Sequence, residues 1–386
     1  MDTTRIGIMG YGAMGSNHAG YIQAGKIPGA CITAVCDADP QRLDAAKSNL
    51  GADIACYEDP QEFFASAPVD GVMICTPHYQ HPPLAIQAFE KGLHVLIEKP
   101  AGSYTKQVRE MNEAAEQSGK CFAIMFQKRQ TPVFRKLKDI VASGEVGEVM
   151  RTTWIITSWF RTQSYYDSGG WRATWEGEGG GVLLNQCPHQ LDLWQWIVGE
   201  PSYVNGFCHF GKWHNIEVED DVTAYVSYDN GATGVFIAST GEAPGSDRLE
   251  IAGDRGLIVL EHNELSFYRT RQSVSEANRT FAGGFAKPEC WKCQIPVQGQ
   301  DQGHAGITRN WVEAIREGKE LIAPGTEGIK SLQISNAILL SSWLNEGVEL
   351  PLDEDLFYSR LQKKIENSTF KKETSGRTLD MSNSFA

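Results

Sequence analysis

Ile6-Gly7-Ile8-Met9-Gly10-Tyr11-Gly12-Ala13-Met14-Gly15 is a short apolar run closed by three glycines in G-x-G-x-x-G spacing, and the helix-compatible Ser16 to Ile22 follows it. Three such glycines alone carry little information. Between a buried strand and a helix they have a mechanism. Gly10 permits a tight turn, Gly12 lets the backbone approach a pyrophosphate, and Gly15 lets helix and strand pack closely. The first N–H groups of the helix then face an anion. Ala13 and Met14 belong to the same cradle. A second apolar run, Ile32 to Cys36, ends at Asp37, 22 residues after Gly15. An acid at that distance holds a ribose 2′-hydroxyl and repels a 2′-phosphate, which favours NAD over NADP. Arg42 keeps the alternative open, because it can reach a phosphate. Asp39, just before Pro40, is read as a helix cap.

The pattern repeats downstream. Asp70 to Cys75 is strand-like and ends on Thr76-Pro77, a helix is expected over His81 to Lys91, and Leu93-His94-Val95-Leu96-Ile97 is the next strand. That strand stops abruptly on Glu98-Lys99-Pro100. Ligands of open α/β sheets bind outside the carboxyl ends of the strands, so Lys99 can point into a cleft. On its own it reads as one more solvated strand-end charge. Strand and helix alternate up to Phe126, which predicts right-handed crossovers and an α/β, doubly wound parallel sheet over residues 1–127.

From Gly147 onward strand-like runs follow one another at hairpin spacing, with turns such as Asp229-Asn230-Gly231 between them. They predict an α+β domain over 128–366, built on a large, mostly antiparallel sheet. Helices at 181–197 and 306–317 are expected to cover one face, leaving the other for a second subunit. Residues 367–386 read as a polar C-terminal tail. Within 179–192 the segment Gly179-Gly180-Gly181-Val182-Leu183-Leu184-Asn185-Gln186-Cys187-Pro188-His189 stands out. On one helix Asn185 and His189, four apart, would share a face, although Pro188 disturbs a regular helix. A histidine and a lysine in one cleft make an acid–base and electrophile pair.

The 386 residues are enough for two domains, and 41% hydrophobic with 22% charged residues is an ordinary globular composition. A net charge of −13 argues against a nucleic-acid or anionic-membrane surface. No apolar run has bilayer-spanning length, and the first residues enter a strand directly, so a cytoplasmic protein is expected. Nine scattered cysteines read as reduced thiols. Cys290-Trp291-Lys292-Cys293 has no second pair nearby, so no metal is expected.

Taken in order, Gly10-x-Gly12-x-Met14-Gly15, Thr76-Pro77-His78-x-x-His81, Glu98-Lys99-Pro100, Trp171-Arg172, the triple glycine and His189 resemble the Gfo/Idh/MocA oxidoreductases, over about residues 4 to 350. The resemblance implies a Rossmann domain binding NAD and a homo-oligomer (dimer or tetramer) formed through the antiparallel sheet. It implies that Lys99 binds the reacting hydroxyl oxygen and His189 acts as general base. Thr76, Pro77, His81 and Glu98 would line the nicotinamide side, Gln127 and Arg129 approach cofactor and substrate, and Arg172 reach the cofactor. Trp171 and Asn185 would contact substrate. The family often has Asp where this chain has Asn185, and an amide supplies no negative charge to an imidazolium. The aromatic run Trp159, Tyr165, Tyr166, Trp171 and Trp175 fits stacking on sugar faces or plain core packing. With the Asn-Gln-Cys-Pro-His variant it is similar to the branch that oxidises C3 of glucosides. The expected activity is hydride transfer from a ring carbinol of a sugar, glycoside or cyclitol to NAD. Two alternatives are an enzyme that retains NAD for internal redox chemistry and a non-catalytic sugar or NAD sensor.

Overall fold

In the computed structural model, which describes residues 3–372, the chain builds two sheets over two hydrophobic cores. Six strands make the first: β1 (Thr4–Met9), β2 (Ala30–Cys36), β3 (Ala55–Tyr57), β4 (Gly71–Ile74), β5 (His94–Ile97) and β6 (Phe122–Ile124). They lie in the order β3-β2-β1-β4-β5-β6, all parallel. The order reverses between β1 and β4, so a crevice opens where β1 and β4 end and the next turns diverge. β4 is buried throughout, as a strand covered on both faces must be. The two short 3₁₀ turns after β4 and β6, His78–Gln80 and Gln127–Gln130, bend the chain at that crevice.

Nine strands make the second sheet: β7 (Val149–Ile156), β8 (Tyr203–Phe210), β9 (Glu219–Ser227), β10 (Thr233–Ser239), β11 (Asp247–Gly253), β12 (Gly256–Glu261), β13 (Glu264–Thr270), β14 (Cys290–Ile295) and β15 (Val348–Glu349). Their order is β14-β13-β12-β11-β7-β10-β9-β8-β15. Every pairing is antiparallel except β7 with β10. One face buries Trp154, Val226, Phe236 and Ile251 against helices. On the other, Phe207 and Tyr225 are exposed, with Ile155, Val235 and Ile237 partly so.

Three details differ from the sequence reading. The helix expected over 181–197 is broken into Val182–Asn185 and Pro188–Val198, because Pro188 offers no N–H to continue the first helix and instead opens the second. The helix expected at 306–317 spans Gly303–Glu317 and does not cover the antiparallel sheet. Its buried Ile307, Trp311 and Val312 join the core of the parallel sheet, where the Trp311 ring fills the space left by Gly71. Burying each such side chain is worth roughly 1.5–3 kcal/mol. The long helix Gly328–Leu344 takes the covering role against β8. Of the expected tail, 367–372 follow the helix Glu354–Glu366, and 373–386 lie outside the described residues.

Cys290 and Cys293 sit on β14 as free thiols, and among the described residues no group of three or more His, Cys, Asp or Glu side chains could hold a metal ion. No helix among the described residues is long and apolar enough to cross a membrane.

Candidate active site

The three glycines do separate things. A Cβ on Gly10, whose φ is +87°, would lie 2.8 Å from the Cys75 carbonyl oxygen, and one on Gly15 would lie 2.0 Å from that of Gly10. Both positions are closed to any side chain. Gly12 meets nothing nearer than the Arg42 guanidinium at 3.7 Å, so its backbone stays open to the cleft. The helix Ala13–Gln23 begins there with no side-chain cap and no acid in its first turn. Its first N–H groups are left to a ligand.

Asp37 ends β2, and its carboxylate accepts from the N–H groups of Tyr11 (2.7 Å) and Asp39 (2.9 Å). A carboxylate has about four acceptor positions, so capacity remains for a diol. Arg42 approaches it at 3.4 Å and lines the cleft, whereas Asp37 does not.

Around the mouth, the crevice is a cleft of about 710 Å³. It brings together Thr76, Pro77, His81, Glu98, Lys99 and Gln127 from the first domain with Trp171, Arg172, Asn185 and His189 from the second. Thr76 Oγ1, Gln127 Oε1 and His78 Nδ1 are buried there with no hydrogen-bond partner. Orphaned polar atoms beside an open glycine turn fit the amide and ribose of a nicotinamide nucleotide. His81 is fully buried, with ring nitrogens 2.8 Å from the Pro100 oxygen and 2.7 Å from the Thr76 oxygen. It ties the two strand-end turns together. Two carbonyl partners suit an imidazolium, whereas burial pushes the His81 pKa down. A neutral ring has one N–H, and the bond from Nδ1 to the Pro100 oxygen is the one that joins the turns.

Lys99 Nζ donates to the Asn185 carbonyl oxygen at 3.0 Å, leaving two of its three protons for the cleft. Burial lowers its pKa, while the carboxylates of Glu98 and Glu178 raise it. Glu98 itself faces away from the substrate end. It pairs with the buried His18 at 2.7 Å and accepts the Lys99 N–H at 3.1 Å. Burial alone would raise the Glu98 carboxyl, but the His18 hydrogen bond and charge hold it down at about 2. His189 is 8% exposed and its Nδ1 has no partner. Burial first, then the Lys99 charge, holds its pKa well below the ordinary histidine value. At neutral pH it is therefore a neutral base waiting for a proton.

Arg129 does not line the cleft. Its guanidinium is buried in a two-bonded pair with Asp192 (2.8 and 2.6 Å), also meets Glu327, and lies 5.4 Å from the Trp196 ring centroid. It joins the end of β6 to the helix Pro188–Val198. Removing one member of such a pair would strand a buried charge, so Arg129 is a structural strut. Asn185 and His189 do not share a helix face, since the break at Gln186-Cys187 separates them. The Asn185 side chain accepts from the Tyr165 hydroxyl at 3.0 Å and donates to Glu178. Of the aromatic run, Trp159, Tyr165 and Trp171 line the cleft, while Tyr166 and Trp175 are buried core.

Sequence reading missed His18, Glu178 and His304. His304 lines the cleft with its ring 5.7 Å from that of His18, and burial pushes its pKa down to about 4. Glu178 is buried, accepts the Ala173 N–H at 2.6 Å and has its pKa raised by burial against the pull of Arg172. Its place directly before the triple glycine was the available signal. Asn185→Asp tests this arrangement. Two carboxyls would then share one buried site, raising the Glu178 pKa further above its unfolded value of about 4.3. A raised carboxyl pKa contributes stability below the unfolded value and loses it as pH rises through the folded one. The melting-temperature deficit of Asn185→Asp against the unaltered protein should therefore widen from about pH 5 to about pH 8. A pH-independent deficit would contradict the contact.

A dinucleotide cradle opening onto a lysine and a neutral histidine defines a nucleotide-dependent oxidoreductase. The oxidoreductase family with an NAD-binding Rossmann fold matches residues 4–126, and the GFO/IDH/MocA C-terminal domain matches residues 134–259. The chain belongs to this family and is an NAD-dependent oxidoreductase. It is 24% identical to the scyllo-inositol 2-dehydrogenase (NAD(+)) of Bacillus subtilis, covering 92% of this chain and 98% of that one. It is 29% identical to the D-glucoside 3-dehydrogenase of Escherichia coli over 52% of this chain and 60% of that one. Among solved structures, the WlbA dehydrogenase of Chromobacterium violaceum, in complex with NADH and UDP-GlcNAcA, superposes with a TM-score of 0.78 at 28% identity. That match covers 92% of this chain and 97% of that one.

Proposed function

We propose that the enzyme oxidises a ring carbinol of a sugar, glycoside or cyclitol, with C3 of a glucoside as the first candidate. The observation that carries this reading is the meeting of Lys99 Nζ and the neutral His189 imidazole beside the orphaned nicotinamide-side atoms Thr76 Oγ1 and Gln127 Oε1. When bound, NAD supplies the acceptor for the hydride leaving the carbinol carbon. His189 takes the hydroxyl proton. Lys99, steadied by the Asn185 carbonyl, donates to the oxygen as negative charge develops on it. The His18–Glu98 pair holds the lysine turn from behind, and His81 keeps the Thr76 and Pro100 turns in register. The inositol and glucoside dehydrogenases named above support the substrate class. Inositol and glucoside differ in ring, so both belong in the test.

The half-exposed apolar face carrying Phe207 and Tyr225 suits a second copy of the chain, giving a homo-oligomer. Nine free thiols suit the reducing cytoplasm. The test of the reading is nicotinamide absorbance on incubation of the purified protein and NAD with hexoses, glucosides and inositols. Reduction by at least one ring polyol is expected, and a silent panel would contradict it.

Coenzyme choice is the next expected outcome. With Asp37 at the ribose, kcat/KM for NAD should exceed that for NADP by about tenfold or more. Asp37→Ala should narrow the ratio mainly by weakening NAD. Equal use of both by the unaltered enzyme would shift the assignment to Arg42.

A further inference from the structure

The substrate half of the cleft carries positive charge that the described carboxylates do not answer. Arg161 and Arg172 flank Tyr165, their guanidinium carbons 5.2 and 4.7 Å from its ring centroid. Arg161 also stacks on Trp159 at 5.4 Å, and Arg172 on Trp171 at 4.7 Å. Arg161 donates to the Phe160 carbonyl and Arg172 to the Tyr165 hydroxyl, both at 3.0 Å. Neither forms an ion pair with a carboxylate among the described residues. A guanidinium has five N–H donors, so most of each fork is left open.

Scarcity of acids does not explain this. The chain has 48 acidic residues against 35 basic ones. Other arginines find theirs, as in Arg5 with Asp70 at 2.7 Å and Arg248 with Glu261 at 2.6 Å. Lys99 and Lys128 also line the cleft. Asp301 lines it too, but its oxygens already accept from the Thr131 hydroxyl and the Gly303 N–H, both at 2.8 Å. Glu178 balances one charge at most and is held by the Ala173 N–H and the Asn185 amide. Stacking on aromatic faces fixes the planes of the guanidiniums and leaves their edges for a planar or tetrahedral oxyanion.

We propose that the ring substrate carries an acidic group, carboxylate or phosphate, away from the oxidised carbon, and that Arg161 grips it with Arg172 beside it. This rests on the dehydrogenase reading above and adds the charge of the substrate to it.

The test compares kcat/KM for matched neutral and acidic rings with the full-length enzyme and saturating NAD. Methyl glucoside is set against methyl glucuronide, and glucose against glucose 6-phosphate, so the two pairs separate carboxylate from phosphate. One acidic member should exceed its neutral partner by about tenfold or more, the worth of a charged hydrogen-bonded pair. Arg161→Gln should bring that ratio to within about threefold, and Arg161→Lys, which keeps charge but loses the fork, should fall between. Neutral members turned over as well as or better than acidic ones would overturn the proposal and leave the dehydrogenase reading standing. A ratio undiminished in both Arg161 variants would overturn the role of Arg161. Failure of every ring in both pairs and in the wider panel would count against the dehydrogenase reading itself.

Discussion

His189→Ala is expected to lower the rate of substrate oxidation by roughly 10²–10⁴-fold, the usual worth of a positioned general base. The pH profile distinguishes that loss from a packing defect. Oxidation requires the neutral imidazole, so kcat/KM in the unaltered enzyme should rise with pH through one ionisation and then level. Burial and the Lys99 charge depress the His189 pKa, so the rising limb should lie below the ordinary histidine value of about 6.5. In His189→Ala the limb should vanish and the residual rate become flat over that range. A limb that survives the substitution in place would assign the base to another group, with His304, which also lines the cleft, the first to be substituted.

Lys99→Met is expected to cost roughly 10²–10³-fold in kcat, the size found for loss of one donor to a developing oxyanion. Methionine keeps most of the stem and its apolar contacts. The charge and the donated bond to the Asn185 carbonyl are what it removes. NAD affinity should change little. Removing a positive charge near His189 should also raise the histidine pKa, since that charge is among the causes depressing it. The rising limb of kcat/KM should therefore move to higher pH in Lys99→Met. Near-normal turnover would leave Lys99 as a structural donor to the Asn185 carbonyl and remove it from the chemistry.

The parts of the site that could be read from sequence are those fixed by local geometry. Gly15 is required by the Gly10 carbonyl five residues back and Gly10 by its own φ of +87°, and their spacing carries both requirements. Lys99 was legible because a buried parallel strand must end at the ligand edge of the sheet. What escaped was decided by partners distant in the chain. Arg129 sits at a strand end like Gln127, yet Asp192, 63 residues on, and Glu327, 198 residues on, draw it into the interior. His18 looked like one more residue of a helix until Glu98, 80 residues away, paired with it. The helix Gly303–Glu317 shows an apolar face in sequence, but nothing local says which sheet that face meets.

Asn185 shows the same limit more sharply. Read as a departure from an expected acid, it implied that this position supplies no negative charge to the histidine. In the fold its amide donates to the carboxyl of Glu178, one residue before the triple glycine. Its backbone carbonyl, invisible to any argument from residue type, is what steadies Lys99.

In the proposed reaction a ring carbinol gives its carbon-bound hydrogen directly to the nicotinamide. This transfer is tested most directly by supplying methyl glucoside and methyl glucuronide deuterated at C3, a deuterated inositol alongside, and following the label into NADH by mass spectrometry. Enzyme-bound and released nucleotide are collected together, so the result holds whether or not the coenzyme leaves. Deuterium is expected on nicotinamide C4 from at least one of these rings, on a single face, with the label lost in Lys99→Met and His189→Ala in proportion to their rates. NADH formed without deuterium from a ring labelled at the carbon that becomes the ketone would contradict it.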